Sequence, residues 1–155
     1  MSGQLEDPVR TSAEALFEVF PEWRSLARRE VDEDGSQYVV VEVSPPSEAD
    51  ANYGLFIDTR NDEVTVGFDF YHRHFDDWAD QSGRFGTESA LDFVQQIGQE
   101  RVAVVSWWRD DTWLASSVTE AGAPLEPREP RTSEDTHNRV RVRSWSGALN
   151  VDSDA

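Results

Sequence analysis

Cysteine and lysine are both absent from this chain of 155 residues. Without cysteine, disulfide frameworks, thiolate metal sites and cysteine nucleophiles are excluded. The chain also lacks glycine-rich phosphate motifs of the Walker or Rossmann type, and it has no lysine to reach a phosphate. A Gly-x-Ser-x-Gly sequence, which positions the nucleophile of many serine hydrolases, is missing too. Several large enzyme classes are therefore removed.

Long hydrophobic runs are missing as well. No stretch of about 18 consecutive apolar residues offers a membrane span. The first residues, MSGQLED, lack the basic start and apolar run of a signal peptide. We therefore expect a cytoplasmic protein with no membrane partner. The length suits one domain, and we predict a single α+β domain over residues 1–147 with a disordered tail over residues 148–155.

Charge of one sign dominates what is present. The chain has 31 acidic residues against 14 basic ones, a formal net charge of −17, and every basic residue is arginine. Between Glu30 and Asp80, 14 acidic residues face only two arginines, so this stretch alone carries −12. Solubility alone is one explanation of such a high net charge. Such a surface nevertheless repels nucleic acid and anionic lipid and attracts a basic partner.

Alternation of apolar and polar residues, with short polar connections, predicts several strands and two hairpins. The apolar run QYVVVEV suits a central strand, whereas RVRVRSW suits an edge strand whose arginines, Arg139, Arg141 and Arg143, point outward. The predicted strands are residues 37–43, 52–59, 63–71, 101–108, 112–118 and 139–145. We predict an antiparallel sheet of five or six strands with two helical segments packed on one face.

The helical segments are predicted from capping residues and apolar stripes. Thr11 begins a capping box, and Pro21 divides that segment from a second short helix that ends near Arg29. Thr87 caps a later helix, which Gly98 is placed to end. Residues 119–138 contain three prolines and are predicted to form a long loop.

The densest polar and aromatic segment, DFYHRHFDDWAD, runs from Asp69 to Asp80 at the end of the clearest strand. If the strand continues, His72 and His74 share a face and have a spacing that can chelate a metal with a neighbouring aspartate. An isolated His-x-His is common, however, and the chain has no second histidine cluster. A metal-dependent enzyme therefore remains an alternative, and we predict no metal.

Tyrosine and tryptophan surrounded by carboxylates are also the usual ingredients of a protein interface. On that basis the segment is predicted to bind a partner through charged residues and through aromatic or imidazole anchors. The predicted partner-binding residues are Asp69, Tyr71, His72, His74, Asp76, Asp77, Trp78 and Asp80.

Three segments, NYGLFID (52–58), EVTVGFD (63–69) and YHRHF (71–75), resemble the small acidic immunity proteins of bacterial polymorphic toxin systems. The resemblance implies a cytoplasmic protein that binds a cognate toxin stoichiometrically, blocks or distorts its active site, needs no cofactor and catalyses nothing. The charge favours a basic toxin, such as a nuclease, deaminase or other nucleotide-directed enzyme, and disfavours direct binding of nucleic acid. A further alternative is a nucleic-acid mimic that occupies a host DNA-binding protein, although outward arginines would interrupt its carboxylate surface.

Overall fold

The computed structural model of the protein describes residues 14, 16–60, 63–75, 86–122 and 137–154. These residues form two antiparallel sheets and short helices, which confirms the predicted α+β class. The chain divides into two compact units. The first contains Met1–Val43, Leu55–Val66 and His72–Phe93, and the second contains Ser44–Gly54, Gly67–Tyr71 and Val94–Ala155.

The larger sheet has five strands that lie side by side in chain order. They are β1 (Arg28–Val31), β2 (Gln37–Val43), β3 (Leu55–Asp58), β4 (Val64–Phe68) and β5 (Tyr71–Phe75). Strand β2 has the predicted bounds, as expected for a run rich in β-branched residues.

The structure corrects the prediction of a helix that ends near Arg29. A 3-10 helix occupies Pro21–Leu26, and the chain then enters β1, which pairs with β2 from Arg28 opposite Val40 to Val31 opposite Gln37. Gly35, with φ of 86°, lies in the turn between these strands. The hydrogen bonds with β2 outweigh the local preference for helix, because strand pairing satisfies the backbone of the segment.

The predicted strand over residues 63–71 is divided in the structure. Strand β4 is buried throughout and ends at Phe68, and β5 begins at Tyr71 after a two-residue turn. Asp69 has a φ of 51°, a left-handed conformation that aspartate tolerates better than most residues. The turn residue is thus an aspartate, which did not stand out as a breaker in the sequence.

The second sheet has four strands in the order β7-β6-β8-β9. These are β6 (Val102–Arg109), β7 (Thr112–Glu120), β8 (Arg139–Arg143) and β9 (Val151–Asp154). The predicted hairpin of β6 and β7 is confirmed, with Asp110 and Asp111 as its turn. The core beneath this sheet consists of Ala103, Val105, Trp107 and Val142, with Ala115, Val140 and Leu149 packed against them.

Two predictions for the C-terminal part of the chain are wrong. Strand β8 lies between β6 and β9, so it is not an edge strand, and Arg141 and Arg143 are buried instead of pointing outward. The tail predicted to be disordered contains β9, which pairs with β8 from Val142 opposite Val151 to Arg139 opposite Asp154. The two errors are related, since β9 covers the edge of β8 and supplies the Asp152 carboxylate to Arg143.

The described helices are short except for one. Residues 16–19 form a helical turn, here α1, and α2 spans Gly86–Gly98. The buried residues of α2 follow helical spacing, and they are Ala90, Phe93, Val94 and Ile97. Gly98 is the last helical residue as predicted, although the left-handed residue that follows is Glu100, with φ of 55°. Among the described helices, none has the length and apolar content needed to cross a membrane.

Candidate functional site

The eight predicted partner-binding residues fall into two groups. Asp76, Asp77, Trp78 and Asp80 lie outside the described residues. Asp69, Tyr71, His72 and His74 lie on or beside strand β5, the last strand in the order of the five-stranded sheet. The structure therefore describes the beginning of the predicted site.

Asp69 has a structural place in the turn before β5. Its side chain is buried, and its Oδ1 accepts a hydrogen bond of 2.8 Å from the backbone N–H of Asn52. Its own backbone N–H donates to the carbonyl of Tyr53 at 3.1 Å. A partner that binds to the described surface does not reach this carboxylate, so we leave Asp69 out of the candidate interface.

The outer part of β5 presents its side chains to solvent. His72, Arg73 and His74 are exposed one after another, Tyr71 is half-buried, and Phe75 is buried. The Arg73 guanidinium lies 5.2 Å from the centre of the Phe75 ring, and that ring lies 5.8 Å from the ring of Phe93 on α2. Phe75 thus anchors the strand while the three preceding side chains remain accessible.

His74 is oriented by groups on the neighbouring strand. Its Nδ1 lies 2.8 Å from the hydroxyl of Thr65, which is buried on β4, and 3.7 Å from Oε2 of Glu63. The tautomer of the ring decides whether Nδ1 donates to the Thr65 hydroxyl or accepts from it. The ring of His72 meets that of His74 edge to face, with centres 5.2 Å apart. These contacts hold two imidazoles side by side on one surface.

A carboxylate of altered acidity lies near this histidine pair. Burial raises the pKa of Asp58, on β3, above the ordinary aspartate value of 3.8, while the backbone N–H of Arg60 and the charge of His74 oppose that rise. The pKa of Asp32 is lowered instead, chiefly by a bidentate pair with Arg60 at 2.7 and 2.9 Å. The two aspartates therefore differ because one is desolvated and the other is paired.

The metal alternative gains no support from the described geometry. Within the described residues, no group of three or more histidine, aspartate or glutamate side chains is arranged to hold a metal ion. His72 and His74 themselves meet ring edge to ring face.

Several arginines are bonded to carboxylates of the same chain. The pairs include Arg24 with Glu14, Arg28 with Glu42 and Glu30, Arg60 with Asp32, and Arg143 with both Asp50 and Asp152. Many acidic side chains remain exposed, among them Glu33, Asp34, Glu48, Asp110, Asp111 and Glu120. Because the chain has 31 acidic residues against 14 arginines, the carboxylates in excess of these pairs give the surface an acidic character.

The structure also brings together four aromatic residues, Tyr53, Phe70, Trp108 and Trp113, which we call the aromatic cluster. The ring of Phe70 is central, and the other three rings lie 4.7–5.6 Å from it, centre to centre. Sequence reasoning missed this cluster. One signal was available, because Trp108 and Trp113 flank the predicted hairpin turn and are opposite one another in the register.

Comparisons with known proteins give no relative for this chain. No protein-family model matches it, and neither a search of curated proteins nor a search of solved structures finds a match. The resemblance to immunity proteins therefore stays a prediction from the sequence.

Proposed function

We propose that this chain is an immunity protein, which binds a cognate bacterial toxin and inhibits it without catalysing a reaction. The observation that carries the proposal is the exposed run His72, Arg73 and His74 on the outermost described strand of a strongly acidic chain. The toxin is expected to be basic, as nucleases and other nucleotide-directed enzymes often are at their active-site clefts.

Electrostatics supports a basic protein as the partner. The chain carries −17, and arginines such as Arg28 and Arg60 are engaged with carboxylates of the chain itself. Complementary charge accelerates encounter and rejects like-charged competitors, so it favours a basic protein over nucleic acid or anionic lipid.

Strand β5 supports a protein interface more than a reaction centre. Imidazole rings both donate and accept hydrogen bonds, and the His72 and His74 rings are held in place by each other and by Thr65. Anchors of this kind lose little side-chain entropy on binding. They act as partner-binding groups, together with Tyr71 and with Asp76, Asp77, Trp78 and Asp80 of the following segment.

A nucleic-acid mimic is the second candidate, and one observation favours it. Outward arginines on residues 139–145, as predicted from the sequence, would interrupt the carboxylate surface that a mimic needs. Arg141 and Arg143 are buried, so they do not interrupt it. A mimic would occupy a host DNA-binding protein, and the identity of the captured partner separates the two functions.

The test is capture followed by reconstitution. The full chain is immobilised and exposed to lysate of the native bacterium at about 50 mM and about 500 mM salt, which brackets the range over which surface charges are screened. The captured protein is then purified, expressed alone to measure toxicity, and assayed with increasing amounts of the chain. We expect toxicity and complete inhibition at a one-to-one ratio. A captured DNA-binding protein without toxicity, or a captured toxin whose activity the chain leaves unchanged, would refute the immunity function.

Variants then test the assigned surface. Changing both His72 and His74 to alanine should weaken the complex by about tenfold or more, as loss of interface anchors does. His137→Ala is the matched control, because it removes the third histidine, which lies on the second unit. Equal affinities of the double variant and the control would remove β5 from the interface.

A further inference from the structure

We infer that the aromatic cluster is a docking surface for an arginine or lysine side chain of a basic protein partner. The inference deepens the proposed function, on which its choice of partner class depends. The surface is formed entirely within the second unit of the chain, by residues from three separate segments.

Two of the three outer rings meet Phe70 at steep angles, and the third is tilted. Tyr53 meets Phe70 with centres 5.3 Å apart and planes at 81°, and Trp108 meets it at 4.7 Å and 86°. Trp113 lies 5.6 Å from Phe70 with an angle of 39° between the planes. The edge-to-face packing of Tyr53 and Trp108 on Phe70 stabilises the cluster itself.

Two of the rings are open to a ligand. The side chains of Tyr53 and Trp113 are among the most exposed large apolar groups of the described chain, at 58% and 48%. The exposure of Trp113 is not forced by a need to solvate its indole N–H, because Nε1 donates to Ser116 Oγ at 2.7 Å and to the carbonyl of Ala115 at 3.1 Å. Trp108 Nε1 donates to Ser106 Oγ at 2.8 Å. Both indole N–H groups are thus engaged internally, which leaves ring surface for a partner.

The segments that bear the rings are held by hydrogen bonds in addition to the ring contacts. Asp69, next to Phe70, bonds through its backbone N–H to the carbonyl of Tyr53 and through its carboxylate to the N–H of Asn52. Asn138 bonds to both the backbone and the carboxylate of Asp110, and its N–H donates to the carbonyl of Trp108. A surface prepared in this way does not have to be ordered during binding, which favours affinity.

Charge selects the ligand. Asp110 and Asp111 are exposed in the turn that joins the two tryptophan-bearing strands, with one arginine, Arg109, beside them. Aromatic faces attract cations through their quadrupole, and tryptophan and tyrosine do so most strongly. Aromatic rings can also stack on nucleobases, but a chain of charge −17 repels the accompanying phosphates. A guanidinium or ammonium group on a protein satisfies both the rings and the carboxylates.

The first experiment observes the indole N–H signals of the uniformly ¹⁵N-labelled full chain by NMR, with Trp108 and Trp113 assigned from Trp108→Phe and Trp113→Phe spectra. The probe is the peptide acetyl-Gly-Arg-Gly-Arg-Gly-amide, and its control replaces arginine by citrulline, which is nearly isosteric and neutral. We expect the arginine peptide to shift the signals of Trp108 and Trp113 but not that of Trp107, which is buried. Equal shifts with both peptides, or none with either, would overturn the inference.

Substitutions in the cluster and in the adjacent turn test the same surface. Trp113→Ala and the pair Asp110→Asn with Asp111→Asn should each reduce peptide affinity by about tenfold. Asparagine at position 110 tolerates the left-handed backbone found there, so the turn is kept. Trp23→Phe, on a ring that stacks on Phe20 in the first unit, is the control and should leave affinity unchanged. Loss of affinity in this control would refute the assignment to the cluster.

Failure of the docking surface and failure of the proposed function give different results. If a toxin is captured and Trp113→Ala inhibits it as well as the unmodified chain does, the immunity function stands and the docking surface falls. If the arginine peptide binds as expected but the captured partner is not a toxin, the docking surface stands and the immunity function falls.

Discussion

Arg143 on strand β8 donates a hydrogen bond from Nη2 to Oδ2 of Asp50 at 3.1 Å, although 93 positions separate the two residues. Its Nε donates to the backbone carbonyl of Asp50 at 3.0 Å, and Nη2 also bonds to Oδ2 of Asp152 on β9 at 3.1 Å. The Arg143 side chain is 3% exposed, whereas both carboxylates are largely accessible to water. One buried guanidinium therefore connects β8, β9 and the segment that follows the 3-10 helix Ser47–Ala49.

Replacement of this guanidinium should destabilise the fold. We expect Arg143→Met to lower the free energy of unfolding by roughly 1.5–3 kcal/mol, because it removes the charged donor that hydrogen-bonds to both Asp50 and Asp152. Arg139→Met, on the same strand but partly exposed, is the matched control and should cost under about 1 kcal/mol. Urea unfolding of both variants measures these costs, and equal midpoints would contradict the structural role of Arg143.

Asp152 should make the fold sensitive to acid. The hydrogen bond from Arg143 is the main cause that holds the pKa of Asp152 below the ordinary value of 3.8. A carboxyl whose pKa is lower in the folded state stabilises that state above its unfolded pKa and ceases to do so as the pH falls through the folded pKa. The stability difference between the unmodified chain and Asp152→Asn should therefore be largest near pH 7 and shrink below about pH 4. A difference that stays constant with pH would contradict the pairing.

Asp58 should behave in the opposite sense. Burial raises its pKa above 3.8, so its ionisation destabilises the folded state once the pH exceeds that raised value. Asp58→Asn is expected to be more stable than the unmodified chain at pH 7, and the gain should vanish in acid, where Asp58 is protonated. Unfolding midpoints measured over a pH series test this, with Asp152→Asn as the control of opposite slope. A loss of stability at pH 7 would show that the hydrogen bond from Arg60 outweighs desolvation.

Local patterns were enough to predict part of this fold. The strand Gln37–Val43 and the hairpin around Asp110 and Asp111 depend on β-branched residues and on turn chemistry within a few positions. Strand β8 was also recognised by its alternation, but its place in the sheet was not. That place depends on β9 and on Asp50, a residue about 90 positions away, and no local pattern reports such contacts.

The candidate site was likewise predictable only where local patterns determine it. His72 and His74 are exposed on one strand, which their spacing suggested, whereas Asp69 is buried because an unrecognised turn begins there. In the aromatic cluster, Trp108 and Trp113 come from one hairpin and had a local signal. Tyr53 and Phe70 join them only through tertiary packing, so the cluster could not be predicted as a unit.

Replacement of Gly147 by any residue with a side chain should destabilise the fold for steric reasons. Its φ is 88°, and a Cβ at this position would collide with the carbonyl oxygen of Glu48 and lie 2.8 Å from its carbonyl carbon. Gly35 is a matched control, because its φ is 86° and nothing described lies within 4 Å of its Cβ position. We expect Gly35→Ala to cost about 1–2 kcal/mol from backbone conformation alone, and Gly147→Ala to cost at least about 2 kcal/mol more, because a packed backbone must move. Similar costs in thermal or urea unfolding would contradict the close approach.

Removal of strand β9 should destabilise the sheet that contains β8. A chain that ends at Asn150 loses the partner strand of β8 and the carboxylate of Asp152, but it keeps the turn in which the N–H of Ser144 bonds to Asn150 Oδ1 at 2.9 Å. We expect a drop in the free energy of unfolding of at least about 2 kcal/mol, since strand pairing and a charged hydrogen bond are lost together. The change Arg143→Met should cost less in the truncated chain than in the full one, because one of its acceptors is already gone. Deletion of Ala155 alone is the control for shortening the terminus. Equal stability of the truncated and full chains would mean that β9 contributes nothing to the sheet, and equal costs of Arg143→Met in the two would mean that Asp152 does not stabilise Arg143.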